Sequence, residues 1–387
     1  MFGVHNPVLE KEFVEVSKRG IITGALMIAI FVMQIAVSTV ISLLPVAEVY
    51  GSDRRFAMGL DVLLQSFYMF LPALLVYLLA KPSERNKNTI NVYGKPKSIK
   101  LFILGIFAGL AVCLVGNVAT SVFLNILTGF GVTFYSGSQG VEIKTDLLSV
   151  LLFVINTAVM PALFEEFAFR GVIMQPLRKY GDWFAIVASA ACFAVVHANM
   201  VQIPFAFIAG VSLGYFCIRT KSIWTSVVIH FLNNFYSVIF SVYFEKHPDA
   251  SSFVYLVISG TIVIIGIVAM IVFRNICTVK LMKDATVMDK NKRLKQAAFI
   301  ASPTIVVAIF FALFISIRLM KITSYLGLLI TFAGLLGAGT FFILWIRRIN
   351  MEKSINQRKI YTVSLIITVA SCAFLAIGLL AALVQKV

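Results

Sequence analysis

Long apolar runs recur along almost the whole chain, and this repetition constrains the fold more than any other feature. About eleven of them lie near residues 21–46, 56–80, 101–128, 148–174, 183–199, 201–218, 223–244, 252–273, 298–317, 324–346 and 361–385. A run of roughly 20 apolar residues crosses a hydrocarbon core about 30 Å thick as an α-helix. Segments this long must satisfy every backbone polar group internally, which helices do. The sequence therefore predicts an all-α polytopic membrane protein with about eleven transmembrane helices.

Composition and charge agree with this fold class. Hydrophobic residues make up 60% of the chain and charged residues only 13%, against about 25% charged in soluble domains. The net charge of +16 comes from basic loops between apolar runs, which indicates membrane topology rather than nucleic-acid binding. The loops at 81–100 and 274–297 are the most basic and place the N-terminus in the cytoplasm and the C-terminus outside. We expect a multi-pass protein, in the plasma membrane of a prokaryotic cell, whose partners include the lipid bilayer and no nucleic acid.

Cysteine usage adds no further constraint. The five cysteines are scattered and lie mostly within apolar runs, without a CxxC or metal-type spacing. They therefore predict neither a disulfide framework nor a cysteine metal site.

Ionisable residues inside the predicted spans are few and clustered. Apart from Asp61, they all fall between residues 165 and 230: Glu165, Glu166, Arg170, His197 and His230. A charged side chain inside a membrane segment is costly and marks a functional site by default. The cluster predicts a catalytic core of four helices in residues 145–250. N-terminal helices in 1–144 and additional C-terminal helices in 251–387 would flank this core.

The two carboxylates are adjacent on the fourth predicted span. Glu166 and Arg170 are four residues apart and share a helix face, which favours an ion pair. Glu165 points about 100° away on the same helix, so it has no local partner and is the carboxylate available as a general base. A purely structural ion pair between helices would explain Glu166 and Arg170 but would leave Glu165 unexplained.

Two histidines lie in spans close to the carboxylates. His197 follows Phe193 by four residues at the end of the fifth span, and His230 precedes Asn234 by four on the seventh. Each pair projects from one helix face, and alone each would be an ordinary packing or interhelical hydrogen-bonding pair. With Glu165 they supply the parts for hydrolysis, because a carboxylate and an imidazole can deprotonate water while a second histidine and an asparagine stabilise an oxyanion.

The same side chains also match a metal site. Two histidines and one carboxylate form a catalytic zinc site with an open position, and the candidate ligands are Glu165, His197 and His230. An HExxH helix, a serine nucleophile with its base and a GxGD aspartate pair are all absent. The sequence leaves a zinc-bound and a metal-free water both open.

The order and spacing of these residues resemble a known family. The matching motifs are Glu165-Glu166 with Arg170, Phe193 with His197, and His230 with Asn234, on successive spans. The pattern resembles the CPBP family of CAAX proteases and bacteriocin-processing enzymes, also called Abi proteins. The stretch before the last motif resembles the family as well, through Phe207, Gly210, Gly214, Thr220 and the Ser222-Ile223 pair. The resemblance covers about residues 145–245.

The resemblance implies an intramembrane endopeptidase acting on a membrane-associated peptide or protein. It implies a water held between Glu165 and His197, and an oxyanion facing His230 and Asn234. Three further residues would support this group: Glu166, Arg170 and Phe193. The family is commonly classed among metalloproteases, although a metal-free, glutamate-dependent mechanism is also argued, so zinc enters as the candidate cofactor of the first alternative.

Two other functions compete with proteolysis. A proton-coupled transporter would spread ionisable residues along a pathway and often shows matching halves, whereas this chain has one cluster and no visible duplication. A non-catalytic immunity or scaffold protein would be expected to lose at least one motif residue, and none is missing.

The predicted span boundaries place the two histidines at different membrane depths. A shared site therefore requires a tilted or broken helix, and Pro161 and Pro204 lie where such distortions would bring His197 and His230 together.

Overall fold

The computed structural model describes residues 7–79, 94–135, 146–247, 249, 251–283 and 292–325, parts of 327–340, and residues 362–369. The helices are α1 (Pro7–Leu43), α2 (Val46–Ser52), α3 (Arg54–Leu79), α4 (Ile99–Gly129), α5 (Leu147–Tyr180), α6 (Asp182–Val196), α7 (Ile203–Thr220), α8 (Ile223–Lys246), α9 (Ser251–Ile276), α10 (Lys292–Ile300) and α11 (Pro303–Arg318). Strands β1 (Val132–Phe134) and β2 (Met320–Ile322) form one short antiparallel pair, in which Thr133 lies opposite Lys321.

Seven helices in the described part of the chain are long and apolar enough to cross a membrane, namely α1, α3, α4, α5, α7, α8 and α9. The α10–α11 pair, bent by 63°, can form an eighth span. The all-α polytopic fold predicted from the sequence is confirmed, and the first nine predicted spans each coincide with a helix or with this bent pair. The last two, 324–346 and 361–385, lie largely outside the described residues.

The fifth predicted span differs from the others in length. Helix α6 has 15 residues, so it is about 22 Å long and too short to cross a hydrocarbon core of about 30 Å. It ends at Val196, and α7 begins at Ile203 after a turn in which the Asn199 side chain accepts a hydrogen bond from the Val201 amide at 2.9 Å.

Helix α5 departs from regular α-helical geometry, as expected from the different membrane depths that the sequence predicts for His197 and His230. It contains π-helical turns at Ile155–Val159 and Phe167–Met174, on either side of the segment Met160–Glu166 that holds both carboxylates. Such turns widen the helix locally and occur frequently at functional sites. The predicted distortion around Pro161 is therefore confirmed.

Polar caps fix where the helices around the site begin. The Ser98 hydroxyl accepts a hydrogen bond from the Leu101 amide, Asp146 accepts one from the Ser149 amide, and Ser222 accepts one from the Trp224 amide. Side-chain oxygens at this position satisfy amides that have no partner within the helix.

One hydrophobic core joins the catalytic helices to the first and last described spans. Besides residues of α5 and α6, it contains Phe13 and Leu26 of α1, and Phe299 and Ile305 from the α10–α11 pair. Helix α4 packs instead against α7, α8 and α9. The division of the chain at residues 144 and 250 remains a prediction, because a shared core neither places nor removes such a boundary.

Candidate active site

A completely buried carboxylate, Glu166, organises the polar centre of the helix bundle. Arg170 Nη1 donates a hydrogen bond to Glu166 Oε1 at 2.9 Å, and neither side chain is exposed. His230 Nδ1 lies 2.9 Å from the same oxygen. The predicted ion pair on α5 is thus confirmed, and it also ties α8 to α5 and fixes the His230 ring.

Arg170 makes two further contacts that hold three helices together. Its Nη2 donates to the Gly210 carbonyl of α7 at 3.2 Å. Its guanidinium carbon lies 4.6 Å from the centre of the Phe193 ring on α6, within the range of a cation–π interaction. The Phe193 ring in turn meets the imidazoles of His197 and His230 edge-on, with centroid distances of 4.8 and 5.8 Å.

His197 is held at the end of α6 by its own helix. Its Nδ1 lies 2.8 Å from the Phe193 carbonyl oxygen, the acceptor that a spacing of four residues supplies. A carbonyl only accepts hydrogen bonds, so Nδ1 carries a proton. In the neutral ring this contact leaves the lone pair on Nε2, the arrangement that a general base requires.

Asn234 is oriented by α5 and by its chain neighbour. Its Nδ2 donates to the Thr157 carbonyl at 3.0 Å, and its Oδ1 accepts from Asn233 Nδ2 at 3.1 Å. One of its two N–H groups is used in this way, which leaves the other for a ligand. Asn233 was not predicted from the sequence as a positioning residue, although the adjacent asparagines Asn233 and Asn234 could have indicated it.

Glu165 shares a cavity of about 560 Å³ with the two histidines and Asn234. Its side chain is 15% exposed, whereas that of Glu166 is fully buried, and its Oε2 lies 3.7 Å from His230 Nε2. The structure therefore brings together Glu165, His197, His230 and Asn234, and it places Glu166 and Arg170 behind them. The predicted division between a paired and an available carboxylate matches this geometry.

The cavity also has a wall that the sequence analysis did not assign to the core. Helix α4 contributes Cys113, Asn117, Thr120, Ser121 and Leu124. The remaining walls combine apolar with polar side chains, and the lining residues include no lysine or arginine. An uncharged amide or hydroxyl within an apolar run gives no sequence signal comparable to a buried charge, which is why these positions were missed.

The expected zinc ligands do not converge in this arrangement. Among the described residues, no group of three or more histidine, cysteine, aspartate or glutamate side chains lies close enough to hold one ion. His230 Nδ1 is engaged by Glu166 and His197 Nδ1 by a carbonyl. Glu165, His197 and His230 therefore line one cavity without forming a set of metal ligands.

Comparison with known proteins places this site in a family. Residues 147–236 match the model of the family described as type II CAAX prenyl endopeptidase Rce1-like. The matched region contains every residue of the site described above except the α4 wall.

Two curated bacterial proteins are similar to the chain. YdiL of Bacillus subtilis (strain 168), whose assignment as a membrane peptidase is provisional, is 27% identical over 176 residues, covering 45% of this chain and 68% of YdiL. The membrane-embedded CAAX protease MroQ of Staphylococcus aureus (strain USA300) is 26% identical over 204 residues, covering 48% of this chain and 78% of MroQ.

No solved structure matches the chain significantly. The region matched by the family model contains the glutamate, histidine and asparagine motifs. The similarity of residues 147–236 to type II CAAX prenyl endopeptidases, with the two relatives, supports a membrane-embedded protease of the CPBP type.

Proposed function

We propose that this protease is an endopeptidase that hydrolyses a peptide bond of a membrane-associated peptide or protein. The reaction takes place within the cavity lined by Glu165, His197, His230 and Asn234. One observation supports this assignment above all others. Glu165, His197, His230 and Asn234 come from three helices and face one cavity, while Arg170 and His230 both contact Oε1 of the neighbouring Glu166.

The attacking water would be bound between Glu165 and His197. Glu165 accepts one hydrogen bond from it, and His197 Nε2, the ring nitrogen that keeps its lone pair, accepts the other. As the water oxygen bonds to the scissile carbonyl carbon, one of its two protons passes to Glu165, and the other stays on the new hydroxyl group beside His197. When the carbon–nitrogen bond breaks, Glu165 returns its proton to the leaving amine, and the tetrahedral intermediate collapses to the carboxylic acid.

His230 and Asn234 would stabilise the negative charge that develops on the carbonyl oxygen. Asn234 offers the N–H that is not used by Thr157. The contact between His230 Nδ1 and Glu166 Oε1 leaves His230 Nε2 on the side of Glu165 and the cavity.

The substrate and the orientation belong to the same proposal. MroQ is named as a CAAX protease, and a cavity lining without lysine or arginine suits neutral side chains beside the scissile bond. The basic loops at 81–100 and 274–297 favour a cytoplasmic N-terminus.

The test is cleavage of fluorogenic, membrane-associated peptides by purified protein in lipid vesicles. We expect Glu165→Gln and His197→Gln each to lower kcat by about 10²- to 10⁴-fold, as expected for the loss of a general base. His247→Gln, a matched change at the exposed end of α8, should stay within about twofold of wild type.

Two results would overturn the proposal. Cleavage by Glu165→Gln at the wild-type rate would remove Glu165 from the reaction. Failure of the folded wild-type protein to cleave any peptide would favour a non-catalytic scaffold or a proton-coupled transporter instead.

A further inference from the structure

Helix α4 presents a row of polar side chains to the cavity, opposite the catalytic residues. Thr120 and Ser121 lie about one helical turn after Asn117. All three side chains line the cavity, between Cys113 and Leu124 on the same face. Asn117 is 18 residues from the start of a 31-residue helix, so it lies about 27 Å along α4. The row therefore sits deep within the apolar part of the span.

None of the three side chains has a hydrogen-bond partner in the described part of the chain. The helix threonines Thr39, Thr220 and Thr261 donate to the carbonyl four residues earlier. Thr120 is 6% exposed, and its hydroxyl makes no hydrogen bond at all. A buried polar group left without a partner inside a membrane protein is costly. The buried Thr120 hydroxyl, with the half-buried Asn117 and the exposed Ser121 beside it on the cavity wall, therefore indicates a missing polar ligand.

The position of α4 relative to the catalytic helices is fixed by close packing. A Cβ atom at Gly109 would lie 2.5 Å from Ile229 Cδ1 on α8, and one at Gly116 would lie 2.9 Å from Ile208 Cγ2 on α7. Small residues at such points let two helices approach closely. Because Ile229 precedes His230 directly, the polar row is held at a set distance from the site.

We infer that the polar row Asn117, Thr120 and Ser121 binds the main chain of the substrate in an extended conformation. An extended peptide offers unpaired N–H and C=O groups along its edge, whereas a helical segment has used them internally. Asn117 can both donate to and accept from such a strand. This inference rests on the proposed endopeptidase function and names how that site recognises a peptide.

The experiment is a double-mutant cycle between the protein and the substrate backbone. The probe is a fluorogenic peptide of neutral residues that the wild-type protein cleaves in lipid vesicles. Its analogues carry an ester in place of one backbone amide at a time beside the scissile bond, which removes a single N–H donor.

We expect Asn117→Ala to lower kcat/KM about three- to tenfold, the effect of one net hydrogen bond. One ester analogue should show a similar loss with the wild-type protein and no additional loss with Asn117→Ala. Thr120→Val should behave in the same way with a neighbouring ester. Asn125→Ala, on an exposed part of α4 that does not line the cavity, should remain within about twofold of wild type.

The outcomes separate this inference from the proposed function. If the wild-type protein cleaves the peptide but Asn117→Ala and Thr120→Val cleave it equally well, the polar row does not bind substrate. If the variant and ester losses simply multiply for every analogue, the row acts through helix packing and the inference is equally wrong. A wild-type protein that cleaves no peptide would instead refute the proposed function itself.

Discussion

Replacing Arg170 by methionine should lower the free energy of unfolding of this protein more than any other single substitution in the site. The guanidinium is fully buried and lies between three helices, where it pairs with Glu166, donates to the Gly210 carbonyl and covers the Phe193 ring. Methionine has a comparable length and no charge, so the substitution removes these three interactions with little change in packing volume.

The magnitude follows from what remains after the substitution. Removing one partner of a buried ion pair costs about 3–5 kcal/mol, because the other charge stays buried without compensation. The lost hydrogen bond from a charged donor to Gly210 adds to this cost. We expect a loss of about 4–6 kcal/mol in the free energy of unfolding, which is a large part of the 5–15 kcal/mol typical of a folded protein.

Equilibrium unfolding in mixed detergent micelles, followed by circular dichroism, would measure this loss. The double variant Glu166→Gln with Arg170→Met removes both charges, so it should be more stable than Arg170→Met alone by about 2 kcal/mol or more. A loss below about 1 kcal/mol for the single variant, or a double variant less stable than the single, would refute the reasoning from buried charge.

Four further predictions concern the reaction, packing, pH and metal dependence. Asn234→Ala should lower kcat by about 10²- to 10³-fold with little change in KM, as loss of an oxyanion donor does, in steady-state assays with the cleaved peptide. Gly24→Ala should cost about 1–3 kcal/mol, because its Cβ would lie 2.3 Å from the Ile305 nitrogen, whereas Gly129→Ala has open space and should be neutral in the same unfolding assay. Hydrogen bonds from Ser149 hold the pKa of Asp146 well below its usual range. Asp146 therefore stabilises the fold above pH of about 4, and this contribution is lost as pH falls through the lower folded-state pKa. Thermal unfolding of Asp146→Ala should accordingly differ from wild type at pH 7 and converge with it in strong acid. Cleavage should persist after dialysis against a chelator, with metal analysis to verify that the dialysed enzyme holds no metal. A loss of activity that added zinc restores would contradict the metal-free arrangement.

The parts of the site that follow from local geometry could be predicted from the sequence. A spacing of four residues on a helix brings Glu166 to Arg170, and it brings His197 to the Phe193 carbonyl, whatever the rest of the fold does. A charge inside an apolar run also stands out against its background, so the catalytic side chains were visible as residue types.

Long-range geometry could not be predicted in the same way. Pro161 signalled a distortion of α5, but only the structure shows two π turns around the carboxylates. The second hydrogen bond to Glu166, from His230 on α8, depends on how two helices cross. Asn117 lies within a run whose neighbours are almost all apolar, and periodicity alone does not distinguish an amide facing a cavity from one facing another helix.

The adjacent pair Glu165 and Glu166 shows how the fold separates two identical side chains. Successive residues on a helix diverge by about 100°, so one carboxylate faces the centre of the bundle and its neighbour faces the cavity. Glu166 Oε1 lies 2.9 Å both from the Arg170 guanidinium and from the His230 imidazole. Glu165 Oε2 lies 3.7 Å from His230 Nε2, and the Glu165 side chain stays partly exposed in the cavity. In the proposed reaction, Glu165 in the cavity exchanges a proton with water, and the buried Glu166 holds His230 in its orientation. One carboxylate could not fill both of these proposed roles, which accounts for two adjacent glutamates.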